Sequence, residues 1–289
     1  MIALKTLLEG PDVLVVPGAF DALGALAVQQ AGFPAVSLTG NGLAAALLGR
    51  PDLGLLTMTE VAAQVKHIAD AVSIPLIADA DTGYGGPLNV YRTVKEFGAA
   101  GASAVHIEDQ TIPKRCAFLG DPPAVVSLAE GCQRVRMARE AADEIGLVLI
   151  ARTDAHRAHG LDEVMRRAEA YARAGADALF TATIGSLEEV RRLAAGTPVP
   201  LMVNMNTSAA IAEATVEELR QAGARLAIYP SVLRQAALRS MQEVLALLRA
   251  DGHLGQVRER LASGEAYDTI LDTAGWVRLE RKFDAPPEA

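Results

Sequence analysis

Leu161-Asp162-Glu163-Val164-Met165-Arg166-Arg167-Ala168-Glu169-Ala170-Tyr171-Ala172-Arg173-Ala174-Gly175, running straight into Ala176-Asp177-Ala178-Leu179-Phe180-Thr181-Ala182-Thr183, contains the unit from which the chain is built. Leu161, Val164, Ala168 and Tyr171 fall on one face at helical spacing. The glycine of Ala174-Gly175 can take the left-handed conformation that ends a helix, and the apolar run beyond it reads as a buried strand. The same junction stands at Ala31-Gly32, Ala100-Gly101 and Ala222-Gly223. Helix starts are marked by capping-box spacing at Thr57-x-x-Glu60, Ser127-x-x-Glu130, Ser186-x-x-Glu189 and Thr215-x-x-Glu218. Read together, these signals predict eight strands, near residues 13–18, 35–40, 75–81, 104–109, 147–154, 178–183, 200–205 and 225–230, each followed by helix. Eightfold strand–helix alternation with right-handed crossovers closes into a (β/α)8 TIM barrel, an α/β fold. The alternative, a doubly wound sheet, lacks its GxGxxG after the first strand. Residues 1–250 are expected to form the barrel, and 251–289 a helical extension packed on it or on a neighbouring subunit.

At 289 residues with 51% hydrophobic and 21% charged, the chain suits one such barrel rather than a disordered or fibrous protein. A net charge of -8 argues against nucleic acid and anionic membranes as partners. No apolar run reaches the roughly 18 residues a bilayer span needs. Met1-Ile2-Ala3-Leu4-Lys5 does not open a signal peptide. Cys116 and Cys132 form no CxxC pair, so a reducing cytoplasm is expected.

In this fold, chemistry gathers at the carboxyl ends of the strands. Strand three ends in Asp79-Ala80-Asp81, whose acids should point the same way, strand four in Glu108-Asp109, and Asp52 follows strand two. Carboxylates crowded at one rim repel one another unless a hard cation lies between them, and Mg²⁺ suits oxygen ligands with retained waters. Helix capping by solvated acids is the plainer explanation. Arg152, in Ala151-Arg152-Thr153-Asp154, matches a substrate carboxylate, or else bridges Asp154 or Glu108. Thr39-Gly40-Asn41-Gly42 lets backbone N–H groups approach an anion, or simply turns the chain. In Lys114-Arg115-Cys116, two cations beside a thiol favour the thiolate, which suits proton transfer. Cys132 reads as packing; His106 is expected to face the helices, and no histidine receives a role.

These segments resemble the isocitrate lyase/phosphoenolpyruvate mutase superfamily, above all its methylisocitrate lyase branch, from about residue 13 to 250. The resemblance is carried by Gly49-Arg50-Pro51-Asp52-Leu53-Gly54, Asp79 to Gly85, His106-Ile107-Glu108-Asp109-Gln110, Lys114-Arg115-Cys116 and Ala151-Arg152-Thr153-Asp154. It implies that Asp79 ligates Mg²⁺ (Mn²⁺ as a substitute) directly, while Asp52, Asp81 and Glu108 hold its waters. It implies further that Thr39-Gly40-Asn41 and Arg152 grip a small 2-oxo acid. Lys114, Arg115 and Cys116 correspond to a gating loop whose cysteine protonates the departing carbanion. The resemblance also implies a homotetramer with an exchanged C-terminal helix.

The departures bear on the substrate. Ala117-Phe118 replaces Gly-His, Ala182 a glutamate, and Ser37 a tyrosine at the first contact on strand two. Asn204, Asn206 and Arg234 retain binding positions. The expectation is a carbon–carbon lyase that yields pyruvate or a related 2-oxo acid through an enolate. With fewer polar groups near the outer half of the substrate, a 2-alkylmalate should be preferred over methylisocitrate. Oxaloacetate decarboxylation is the alternative, ahead of a phosphonomutase or a barrel that only binds a dicarboxylate.

Overall fold

The computed structural model describes residues 3–284. Its strands are β1 (Leu14–Ala19), β2 (Val36–Leu38), β3 (Leu76–Asp79), β4 (Ala104–Glu108), β5 (Val148–Thr153), β6 (Ala178–Thr181), β7 (Leu201–Asn204) and β8 (Ala224–Tyr229). All pair in parallel with their sequence neighbours, and β8 closes on β1 with Leu226 opposite Leu14. The (β/α)8 barrel read from the Ala-Gly junctions is therefore the fold. Gly32, Gly101, Gly175 and Gly223 have φ of 83°, 104°, 108° and 90°, the left-handed region expected for them. Thr57–Glu60 and Thr215–Glu218 form complete capping boxes. At Ser127 and Ser186 the serine half is made, but the Glu189 carboxylate bonds the Gly185 N–H instead of closing the box.

Alternation along the strands sorts side chains into two layers. Leu14, Val16, Ile77, Ala104, Ile150, Phe180, Met202 and Leu226 belong to one buried apolar cluster, the barrel interior. The short helix Leu4–Glu9 adds Leu4 and Leu8 to that cluster and stops the end where the chain enters β1. Residues of opposite parity, such as Val105, Leu149 and Val203, pack outward against the helices. The chain divides into two compact units, one ending at Leu233 and the other beginning at Arg234. No helix among the described residues is long and apolar enough to cross a membrane.

Polar groups enter the outer layer at the tip of β4. The buried Asp109 accepts from Arg167 Nη1 at 3.0 Å, Tyr171 Oη at 2.8 Å and the Asp154 N–H at 3.0 Å. Burial raises the Asp109 carboxyl, and the Asp154 N–H and Arg167 oppose the shift. Arg134, from the helix Leu128–Asp143, donates to the carbonyls of Glu108 at 2.8 Å and Gln110 at 2.9 Å. Two buried arginines thus fix the strand end from which Glu108 projects. Arg167→Met would strand Asp109 without its cation. The expected loss is about 3–5 kcal/mol in urea unfolding, and a loss under about 1 kcal/mol would contradict this account.

Candidate active site

β3 ends at Asp79, and Asp81 does not continue its alternation as expected. Asp81 has φ of 47°, a left-handed turn, and its N–H donates to Asp79 Oδ1 at 3.1 Å. The turn, rather than the strand, brings these acids together. Lys114 Nζ lies 2.6 Å from Asp52 Oδ1 and 2.7 Å from Asp81 Oδ1, in a buried cluster. Its ammonium is thus committed to the acids rather than free to act on Cys116.

Arg152 is clamped. Its Nη1 lies 2.8 Å from Glu108 Oε2, while Nε and Nη2 donate to Asp154 at 3.1 and 3.0 Å. The guanidinium also rests 5.4 Å from the centroid of the Phe180 ring. Both bridges considered for this arginine are therefore made. His106, expected to face the helices, faces inward, because it shares strand parity with Ala104 and Glu108. Its Nδ1 lies 3.5 Å from Asp79 Oδ1, and its ring meets Phe180 at 5.4 Å and 70°.

Low dielectric sharpens the electrostatics here. Burial lowers His106 to about 4, so at neutral pH it stands beside Asp79 as an uncharged imidazole. Burial would raise Asp79, but His106, protonated at acid pH, and then Lys114 and Arg152 outweigh it and draw the carboxyl down to about 2. Asp81 is pushed up to about 6 by burial, with Asp79 and Asp52 adding to the shift and Lys114 opposing it. Burial likewise raises Glu108, despite Arg152. Four acids face one lysine and one arginine, an imbalance that favours a further cation.

Among the described residues, no three His, Cys, Asp or Glu side chains converge closely enough to enclose a metal. The acids that are present suit Mg²⁺, which uses one or two carboxylates and keeps its waters. Glu108 Oε1 is buried without a hydrogen-bond partner, as is Tyr84 Oη, so polar atoms stand ready for such a hydrated ion.

Thr39 caps the helix Gly40–Leu48, its Oγ1 accepting from the Gly42 N–H at 3.1 Å. The segment is therefore a helix N-terminus, suited to anions, rather than a plain turn. The Gly40 N–H already donates to Asp79 Oδ2 at 3.2 Å, and a Cβ on Gly40 would stand 2.9 Å from that oxygen. Ser37 is buried in β2, two residues before Thr39. Asn204 donates to the Ala182 carbonyl at 3.3 Å and accepts from the Asn206 N–H at 3.0 Å, while Asn206 bonds Ser231. Ala182 is itself buried. Arg234 opens the second unit.

Cys116 is half-buried, and its N–H donates to the Asp52 carbonyl at 2.9 Å. Gln110 brackets Arg115, accepting from its N–H and donating to its carbonyl, each at 2.9 Å, and also bonds Asp154. The Arg115 side chain is exposed. Sequence reasoning assigned no role to Gln110, Asp154 or His106. Parity would have found His106, two residues from Glu108, and Gln110 and Asp154 end motifs already singled out.

Residues 4–249 match the protein family described as phosphoenolpyruvate phosphomutase. The chain belongs to that family. Within the phosphoenolpyruvate phosphomutase family, the chain is 38% identical over 285 residues to a 2-methylisocitrate lyase of Salmonella typhimurium, covering 98% of this chain and 95% of the relative. It superposes with a TM-score of 0.89 on 2,3-dimethylmalate lyase, a PEP mutase/isocitrate lyase superfamily member, at 33% identity and full coverage of both chains. It also superposes with a TM-score of 0.88 on phosphonopyruvate hydrolase in complex with oxalate and Mg²⁺, at 30% identity and 98% coverage of each.

Proposed function

We propose that this phosphoenolpyruvate phosphomutase family member is a metal-dependent carbon–carbon lyase that cleaves a 2-hydroxy dicarboxylate to a 2-oxo acid. The carrying observation is the excess of buried carboxylates at the tips of β3 and β4, beside a helix N-terminus and a loop bearing a thiol. Asp79, ionised and facing inward, would hold Mg²⁺ directly, with Asp52, Asp81 and Glu108 on its waters; Mn²⁺ would substitute. Bound there, the cation would supply positive charge to the oxyanion that develops as the bond breaks.

The residues of the chain do the rest. The N-terminus of the helix Gly40–Leu48 and Asn204 orient the substrate's carboxylate end, with Arg152 sustaining positive charge behind it. In the cleavage, the hydroxyl passes its proton to one of the clustered carboxylates, and its oxygen becomes the carbonyl of the 2-oxo acid. The bond electrons pass to the departing carbon, which takes a proton from the Cys116 thiol. The segment carrying Lys114 and Cys116 shields that carbon from water.

Two features favour a small alkylated substrate over methylisocitrate. Ala182, where the resemblance would place a glutamate, is buried and offers only backbone groups, and Phe118 replaces a histidine. Leu238, Met241 and Leu245 lie exposed on one face of the helix Val232–Asp251, at 51%, 56% and 62%, which supports subunit association, with a homotetramer proposed. The free Cys116 and Cys132 suit a cytoplasmic setting.

The test is pyruvate release from 2,3-dimethylmalate, methylisocitrate and oxaloacetate, with Mg²⁺ and with EDTA. Mg²⁺-dependent release, fastest from dimethylmalate, is expected. Methylisocitrate turning over fastest would defeat the preference, and no release from any acid would defeat the lyase. Lys114 gives a second check. Lys114→Met leaves Asp52 and Asp81 without their counter-ion, so unfolding in EDTA should come roughly 3 kcal/mol easier. Mg²⁺ should then raise Tm more in the variant than in the parent, and an equal rise in both would argue against shared use of these acids.

A further inference from the structure

Ala155-His156-Arg157-Ala158-His159-Gly160 joins β5 to its helix. Within the helical span His156–Arg173, Gly160 has φ 78° and ψ 178°, which breaks residues 156–159 off as a separate turn. Arg157 stands on that turn. Its Nη1 donates to the Ala117 carbonyl, and its Nη2 to the Gly120 carbonyl at 3.0 Å. These acceptors bracket Phe118 and Leu119, which are exposed at 46% and 39%.

The Leu119 N–H donates to the Cys116 carbonyl at 3.0 Å within the segment, and the other hydrogen bonds and ion pairs that reach it from outside fall before Ala117: Lys114 on Asp52 and Asp81, Gln110 on Arg115, and the Cys116 N–H on the Asp52 carbonyl. Among the described residues, Arg157 is the side chain from outside that holds the half after Cys116. The two kinds of tie also differ in chemistry. Lys114 binds acids that a divalent cation would also draw on, so loading the site weakens its hold by like-charge repulsion. Arg157 binds neutral carbonyls and does not compete with the ion.

We infer that Arg157 is a positioning residue that pins Ala117–Gly120 across the barrel mouth and so keeps Cys116 over the reacting carbon when a cation is bound. The catalytic consequence rests on the lyase reading; the pinning itself does not.

Trypsin provides a readout independent of activity, because cleavage after Lys114 or Arg115 requires the residues that follow, into Ala117 and Phe118, to extend into the protease. In the full chain with Mg²⁺, Arg157→Met keeps the aliphatic stem and removes the donors. Cleavage at Lys114 and Arg115, followed by peptide mass mapping, is expected to be about tenfold faster, the equivalent of roughly 1.4 kcal/mol of lost closure. Other tryptic sites and Tm should stay unchanged, and Arg157→Lys should fall between parent and methionine variant. With 2,3-dimethylmalate, kcat/KM of Arg157→Met should drop by a similar factor. Unchanged cleavage at Lys114 and Arg115, or faster cleavage spread over the whole chain with a lowered Tm, would overturn the assignment. If the parent cleaves none of the acids tested, the lyase reading fails, and the protease arm still judges Arg157.

Discussion

Asp79→Asn is expected to lower kcat/KM roughly a thousandfold, the scale of removing one element of electrostatic stabilisation of a developing charge. Asparagine keeps the shape of the side chain, but only one of the two acceptor oxygens that the Gly40 and Asp81 N–H groups use. It removes the carboxylate that its neighbours draw down to about 2. The neighbours cannot take over. Burial raises both Asp81 and Glu108, and their charges are already set against Lys114 and Arg152. Calorimetry should show Mg²⁺ affinity lost along with activity. A variant that binds Mg²⁺ normally and retains more than a tenth of parental kcat/KM would remove the basis for the mechanism.

Cys116→Ser should cost carbon–carbon cleavage about 10²–10⁴-fold, the range of a lost general acid. A serine hydroxyl is a far weaker acid than a thiol, yet nearly its size, so the loop should keep its place. The backbone bond from residue 116 to the Asp52 carbonyl is indifferent to the side chain. Oxaloacetate decarboxylation needs no proton from this position and should continue in the serine variant. Cleavage that survives the substitution would remove Cys116 from the chemistry.

The barrel was legible because its punctuation is local. A helix that ends in a left-handed turn favours glycine there whatever the tertiary context, and Gly175 shows it with φ of 108°. That Asp79 and Glu108 stand together was legible for the same reason, since they close β3 and β4. Their geometry was less so. The alternation rule fails one residue past a strand, so Asp79 and Asp81 meet through a turn that the spacing does not announce. Lys114 reads in sequence as a neighbour of Cys116, yet long-range attraction takes its ammonium to Asp52 and Asp81. Arg152 could be read as substrate-facing or bridged, and only packing decides, by bringing Glu108 and Asp154 to its two edges. Arg157 had no motif to mark it, because its acceptors are backbone carbonyls supplied by any residue.

Leu4 and Leu8 make the barrel a vessel with a sealed floor. Ions and solvent therefore reach the acids by the doorway at the opposite, carboxyl end of the strands, where the segment that carries Lys114 and Cys116 lies. The residence time of a captured cation then depends on how often that doorway swings, and a substitution far from the acids can alter it without touching a single ligand.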